Sequence, residues 1–395
     1  VPLIRIAVPA GSIALCLAGC SPETVIAVEK GPITGAPAVE AGVVETPTGY
    51  HTRGTSILDA ANNVVYLKAI NWYGLEGPTF TVHGLSARKM SSVLDEIKQL
   101  RFNAIRVTWS SALFDSKSMP SGIDFTLNPD LTGLTGPQIM DKLVVDAGTR
   151  DLKIILSRHH PTAQAQGPLW SDGTYPEARF IEDWKNVAGR YAGNPTVVGC
   201  DLQSDLRNPA TWGDGNLQYD WRAAAERAGD AIIDANPDVL VIVEGIETFG
   251  SSSYWRGGNL QGVASSPVRL KRPGRLVYAT QDFSRTVNNP PPGGVPWFSD
   301  PNYPKNLESV WDTNWGNVLK TGVPVFIASF GTPYIDDSDK KWLASLTAYI
   351  GNHDLNFAYW ALNPESADTA GIIVGPQWDS ENAELIAALG PVLSR

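Results

Sequence analysis

Short β-branched runs recur along this chain, each followed by a stretch with helical spacing, and that alternation restricts the fold more than any other feature. The first run ends at Asn71-Trp72-Tyr73-Gly74. The others are Ala104–Thr108, Lys153–Arg158, Val197–Leu202, Leu240–Glu244, Leu276–Ala279, Val325–Ser329 and Phe357–Trp360. Amphipathic segments such as Ala87–Leu100, Gln138–Arg150, Ala178–Tyr191 and Trp221–Ala235 lie between them. Strand–helix alternation of this kind builds a parallel sheet. Eight units in one body predict an α/β fold with a single (β/α)8 TIM barrel. Ahead of it, Thr55–Leu67 alternates around a turn at Ala61-Asn62-Asn63, which predicts a β-hairpin closing the barrel floor. No second domain, repeat or appended binding module is legible.

The flanking sequence divides the chain further. Residues 1–20 hold one Arg ahead of a short apolar run, interrupted by Pro9 and Gly11, that ends in Leu17-Ala18-Gly19-Cys20. The run is too short to span a bilayer. Its end resembles a bacterial lipobox, which implies a signal peptide with lipidation at Cys20 and an extracytoplasmic protein anchored to the cell envelope; an ordinary cleaved signal, giving a secreted protein, is the alternative. Residues 21–48 are rich in Pro, Ala, Val, Gly and Thr without periodicity, a flexible tether with a reach of roughly 30 Å. Residues 49–395 form the barrel. Charge adds an exclusion: the formal net charge is −10 and no basic run occurs, which argues against a nucleic-acid partner. With Cys16 and Cys20 in the leader, the body keeps Cys200 alone, so no disulfide framework exists. The five His have no ligand spacing, so neither a metal nor a cofactor is expected. Thirteen Trp exceed what a core alone explains, and stacking platforms for carbohydrate account for the excess.

A barrel of this kind carries its chemistry at the C-terminal ends of its strands. Those ends read Asn103-Ala-Ile-Arg106, Ser157-Arg158-His159-His160-Pro161, Asp201-Leu202-Gln203-Ser204-Asp205, Tyr278-Ala279-Thr280-Gln281-Asp282-Phe283, Ala328-Ser329-Phe330-Gly331 and Trp360-Ala361-Leu362-Asn363-Pro364. From Gly49 onward the chain resembles glycoside hydrolase family 5, the cellulase-type barrels of clan A. The resemblance implies a β-linked glucan or related polysaccharide as partner. It makes Arg106 and His159 active-site residues and Trp360 a sugar-stacking wall. Trp72 and Trp212 join them as platforms, and Trp170 and Trp297 are further candidates from their strand-end and loop positions. Arg106 as an ion-pair partner of Asp201, and His159 as a hydrogen-bonded barrel residue, remain alternatives.

The departures from the family pattern fall on its chemistry. The acid/base Glu is Asp205, the Asn before it is Ser204, the strand-six His and Tyr are Gln281 and Phe283, and the nucleophile Glu is Ser329. A retaining glycosidase needs two carboxyl groups about 5–5.5 Å apart. Ser329 has no base to activate it, and Asp205 reaches about 1.5 Å less far than a Glu, a misplacement that can cost around a hundredfold. The reading is a monomeric surface lipoprotein whose cleft, with Ser204 and Gln281 among its substrate-binding residues, binds β-glucan without efficient hydrolysis. The rivals are a rearranged O-glycosyl hydrolase using Asp205 and a cell-envelope interaction scaffold. The expected geometry sets Ser329 and Asp205 across one cleft over Arg106, with no carboxylate at the retaining distance from Asp205. Glu244, Glu247 and Asp282 are the groups to measure at the longer inverting separation.

Overall fold

The computed structural model describes residues 48–395 apart from residues 116, 117, 165, 289 and 367. The leader, the tether up to residue 47 and Cys20 lie outside the described residues.

A small antiparallel sheet comes first: β1 (His51–Arg53), β2 (Ser56–Leu58) and β3 (Val64–Val65). The β2–β3 turn is set by Asp59, whose Oδ1 accepts from the Ala61 and Asn63 backbone N–H groups while Asn62 takes a positive φ of 66°. Such a short polar side chain competes well for local backbone donors.

The barrel strands follow as β4 (Lys68–Trp72), β5 (Ala104–Ser110), β6 (Lys153–His160), β7 (Val197–Asp201), β8 (Leu240–Glu244), β11 (Leu276–Phe283), β12 (Val325–Gly331) and β13 (Asn356–Tyr359). Two-residue strands β9 (Thr248–Phe249) and β10 (Ser252–Ser253) pair in the loop after β8, and β14 (Ile373–Val374) pairs with β15 (Ser380–Glu381) after β13. The eight long strands are all parallel and close into a barrel, with β13 pairing back onto β4. Strands read from the sequence as ending near residues 108, 158 and 279 run a few residues further, into the polar rim that alternation alone cannot delimit.

The helices are α1 (Met90–Gln99), α2 (Gly136–Gly148), α3 (Glu177–Arg190), α4 (Trp221–Ala235), α5 (Leu307–Asn314), α6 (Asp337–Asn352) and α7 (Ala383–Leu393). Their starts are chemically marked. Thr135 and Gln138 form a capping box on α2, Asp220 caps α4 and Asp336 caps α6. The crossover from β8 to β11 departs from strict alternation: it holds a 3₁₀ turn, Gln261–Ala264, in place of an α-helix.

Two apolar layers result. The larger lies between the strands and the helices and contains Trp109, Trp184, Trp221 and Trp342. The smaller fills the lower barrel with Ala69, Ala104, Ile155, Val198, Ile242, Val277, Phe326 and Ala358, and Ile57 of β2 joins it from below. The hairpin therefore plugs the bottom, as its alternation predicted. Inside the barrel, Arg106 and its polar partners lie above this apolar layer. Cys200 is buried in β7, and burial pushes its thiol pKa far up, which makes it inert.

Candidate active site

The upper mouth is organised by Arg106 of β5, a fully buried guanidinium. Its Nε donates to Asp201 Oδ2 at 2.7 Å, Nη1 to Asn71 Oδ1 at 2.9 Å, and Nη2 to Ser204 Oγ at 2.5 Å and Glu244 Oε1 at 2.8 Å. The barrel supplies this set by register: Asn71 of β4 lies opposite Arg106, and Asp201 ends β7 while Glu244 ends β8. One cation facing two buried carboxylates leaves excess negative charge. Burial, and after it the Asp201 charge, push the Glu244 carboxyl well above the ordinary carboxylate range against the pull of Arg106.

Gln281 links this buried layer to the cleft. Its Nε2 donates to Asp205 Oδ1 at 2.6 Å and to Glu244 Oε2 at 2.8 Å. A shift in the β11–β12 ladder between Thr280 and Gln281 sets Gln281 in register with Ser329. Asp205 sits just past β7 with a positive φ of 60°, a conformation that Asp tolerates better than most residues.

Above these groups opens a cleft of about 160 Å³, lined in part by Arg106, His159, Asp205, Gln281, Ser329 and Trp360. Trp360 makes near-parallel stacks with Tyr73 (centroids 5.3 Å) and with His159 (5.5 Å). Burial, then the neighbouring His160, lower the His159 pKa to about 3, so its ring is neutral, and its Nδ1 has no partner.

Asp205 and Ser329 thus share one cleft with Arg106, His159, Gln281 and Trp360, as the strand ends implied. Several expectations need correction. Trp72 is buried outside the barrel wall, its indole N–H donating to the His83 carbonyl at 3.0 Å. Strand alternation explains this: Asn71 points in to Arg106, so its neighbour points out. Trp212 is buried too and donates to the Ser266 carbonyl at 2.8 Å, and Trp170 donates to Glu177 Oε2 at 2.9 Å. Trp297 packs on Tyr254, away from the cleft lining. Ser204 lies beneath the cleft, between Arg106 and Glu244 Oε1 at 3.1 Å, and does not line it.

The carboxylate geometry also differs. Because one amide nitrogen bonds both, Glu244 and Asp205 approach oxygen to oxygen no farther than the roughly 5–5.5 Å of a retaining pair. Glu244 is nevertheless held in the Arg106 ion pair, with the Gln281 amide between it and Asp205, and it is absent from the cleft lining. Asp282 is turned to the helix side, bonded to Tyr254 and to the Trp342 indole. Glu247 faces Arg256 at 3.7 Å.

The remaining lining comes from loops: Gln166, Trp255, Arg256, Val287, Asn288 and Asp368, with Phe283 from the end of β11. Only Phe283 among these stands at a strand end read from the sequence; the others lie in top-face loops, which have no periodicity to mark them. The Tyr254-Trp255-Arg256 triplet was the one available signal. Among the described residues no group of three or more His, Cys, Asp or Glu could hold a metal.

A closed parallel barrel with a polar, aromatic-walled cleft at its strand ends defines the chain as a glycoside-hydrolase-type barrel. It belongs to the cellulase family, glycosyl hydrolase family 5, whose pattern matches residues 58–366. It is 44% identical over 350 residues to an endoglucanase of Paenibacillus polymyxa, covering 87% of each chain. It is 35% identical to the major extracellular endoglucanase of Xanthomonas campestris, over 80% of this chain and 66% of that one. The catalytic domain of that Xanthomonas enzyme superposes with a TM-score of 0.82 at 32% identity, over 88% of this chain and 100% of that domain. An endocellulase of Pyrococcus horikoshii in complex with cellotetraose superposes with a TM-score of 0.81 at 32% identity, over 88% of this chain and 100% of that one.

Proposed function

We propose that this protein binds a β-linked glucan in its barrel cleft and does not hydrolyse it efficiently. The observation that carries the reading is the position of Ser329: it stands at the end of β12 in the cleft with Asp205, and no carboxylate replaces the family's nucleophile on that strand. A hydroxyl without a base neither attacks an anomeric carbon nor stabilises an oxocarbenium charge. Gln281 holds Asp205 from one side, and the nearby Glu244 is spent on Arg106. The cellotetraose complex of the Pyrococcus relative, and the endoglucanase names of the others, support β-1,4-glucan as the glycan.

A second reading, a rearranged hydrolase, is favoured by one observation: Asp368 lines the same cleft as Asp205. The two are separated by incubating the protein with soluble β-1,4-glucan and measuring reducing ends, alongside calorimetry with cello-oligosaccharides. The proposal expects no turnover above background and binding at about micromolar-to-millimolar Kd. Reducing ends that scale with protein and vanish in Asp205→Ala would establish the hydrolase. Absence of binding to any β-glucan would leave the barrel as an interaction scaffold of the envelope. The lipid anchor at Cys20, the tether over residues 21–48, the location outside the cytoplasm and the monomeric state belong to the same proposal and rest on the sequence.

A further inference from the structure

The charges lining the cleft do not balance. Arg106 is matched below the cleft by Asp201 and Glu244, and Arg256 faces Glu247. His159 adds no positive charge, since burial and His160 keep its ring neutral. Asp205 and Asp368, by contrast, form no ion pair among the described residues. Asp205 accepts from the Gln281 amide, and Asp368 accepts from Asn288 Nδ2 at 3.3 Å. Both cations of the lining are therefore in ion pairs and neither of its carboxylates is; Asp205 feels the charges of Arg106 and of Arg207, which donates to backbone carbonyls, without an ion pair to either.

A second observation points the same way. The Ser329 side chain, only 3% exposed, opens on the cleft, and its hydroxyl has no hydrogen-bond partner among the described residues. A hydroxyl open to the cleft, beside carboxylates outside any ion pair, is an acceptor set that suits an N–H donor carrying positive charge. A neutral glucan brings hydroxyls but nothing to offset the two carboxylates.

We propose that the cleft prefers a β-linked glycan bearing free amino groups, of the glucosamine type, over a neutral glucan. The ammonium is attracted by Asp205 and Asp368 and donates to Ser329, while the aromatic wall at Trp360 takes the sugar face. This rests on the carbohydrate-binding reading above and specifies its ligand.

The test is calorimetry on the intact protein with three tetramers: cellotetraose, its fully deacetylated glucosamine counterpart, and the fully N-acetylated one, at a pH where the amines are protonated. The glucosamine tetramer is expected to bind about tenfold more tightly than cellotetraose. That advantage should shrink with added salt, disappear on N-acetylation and fall in Asp368→Asn, a substitution at an exposed position. Equal affinity for the amine and neutral tetramers overturns the inference and leaves the glucan reading intact. So does an advantage that N-acetylation keeps, or one that survives combined Asp205→Asn and Asp368→Asn. Should that double variant misfold, the salt dependence of the native protein decides, since a preference indifferent to salt is not electrostatic. Failure of all three tetramers to bind overturns the carbohydrate reading itself.

Discussion

Asp282 and Trp360 are the residues whose environments make the sharpest demands. Asp282 is buried against the Tyr254 hydroxyl and the Trp342 indole, with no cation beside it. Burial raises its pKa from 3.8 to about 7, against the pull of those hydrogen bonds. The native state therefore keeps a proton that the unfolded chain releases above pH 3.8. Below that value the group costs nothing; as pH rises towards about 7 the protein loses stability by a few kcal/mol. Asp282→Asn keeps a donor and an acceptor without the charge, so its urea midpoint should lie above that of the native protein at pH 8 and match it at pH 4. At Trp360 the expectation concerns binding. Replacing it with Ala removes the ring stacked with Tyr73 and His159 and should weaken cello-oligosaccharide binding by roughly 1–2 kcal/mol, measured by calorimetry. Unchanged affinity would remove Trp360 from the binding surface.

At the scale of elements, the β7–α4 connection shows how one side chain holds a loop and a helix together. Asp220 is fully buried. Its Oδ1 accepts from the Gly213 N–H at 2.8 Å and the Ala223 N–H at 3.3 Å, and its Oδ2 from the Gly215 N–H at 2.9 Å. Gly213 and Gly215 both have positive φ, which lets the loop fold back onto the cap. Asp220→Ala should cost about 2 kcal/mol, the upper end for an N-cap, because three backbone donors lose their acceptor at once. Amide exchange should speed up across residues 211–220 and in the first turn of α4. Exchange confined to α4 would mean that the loop is held by something else. The β8–β11 crossover makes the converse point. Its sequence lacks a long apolar stripe, and it folds as short strands and a 3₁₀ turn that carry Trp255 and Arg256 to the cleft.

For the whole molecule, the barrel separates stability from function along one axis. Apolar side chains and the hairpin fill the lower half, and Arg106, Asp201, Glu244 and Gln281 gather at the mouth, where the cleft opens. A substitution at the floor should change stability without changing glycan preference, as barrel architecture predicts. On the proposed lipobox reading, residues 1–20 decide where the protein resides. Labelling cells with a palmitate analogue should tag the protein, and Cys20→Ala should abolish the tag. An unlabelled soluble mature form would mean ordinary signal cleavage.

The sequence by itself determined the barrel, its hairpin floor and the residue types at the strand ends. Periodicity is a local property, and a residue's type at a strand end is legible wherever that strand is legible. Asp205 and Ser329 could be named for that reason before their surroundings were known. Only the tertiary structure decided which aromatic rings face the cleft, because a one-residue difference in position along a strand turns a side chain from the mouth to the helix layer. Trp72 and Asn71 differ in just that way. The charge pairing was equally out of reach. Arg106, Asp201, Glu244 and Gln281 come from four strands far apart in the chain, and closure of the barrel alone brings them within hydrogen-bond distance. That closure commits Glu244 to Arg106, while Asp205 and Asp368 enter no ion pair among the described residues.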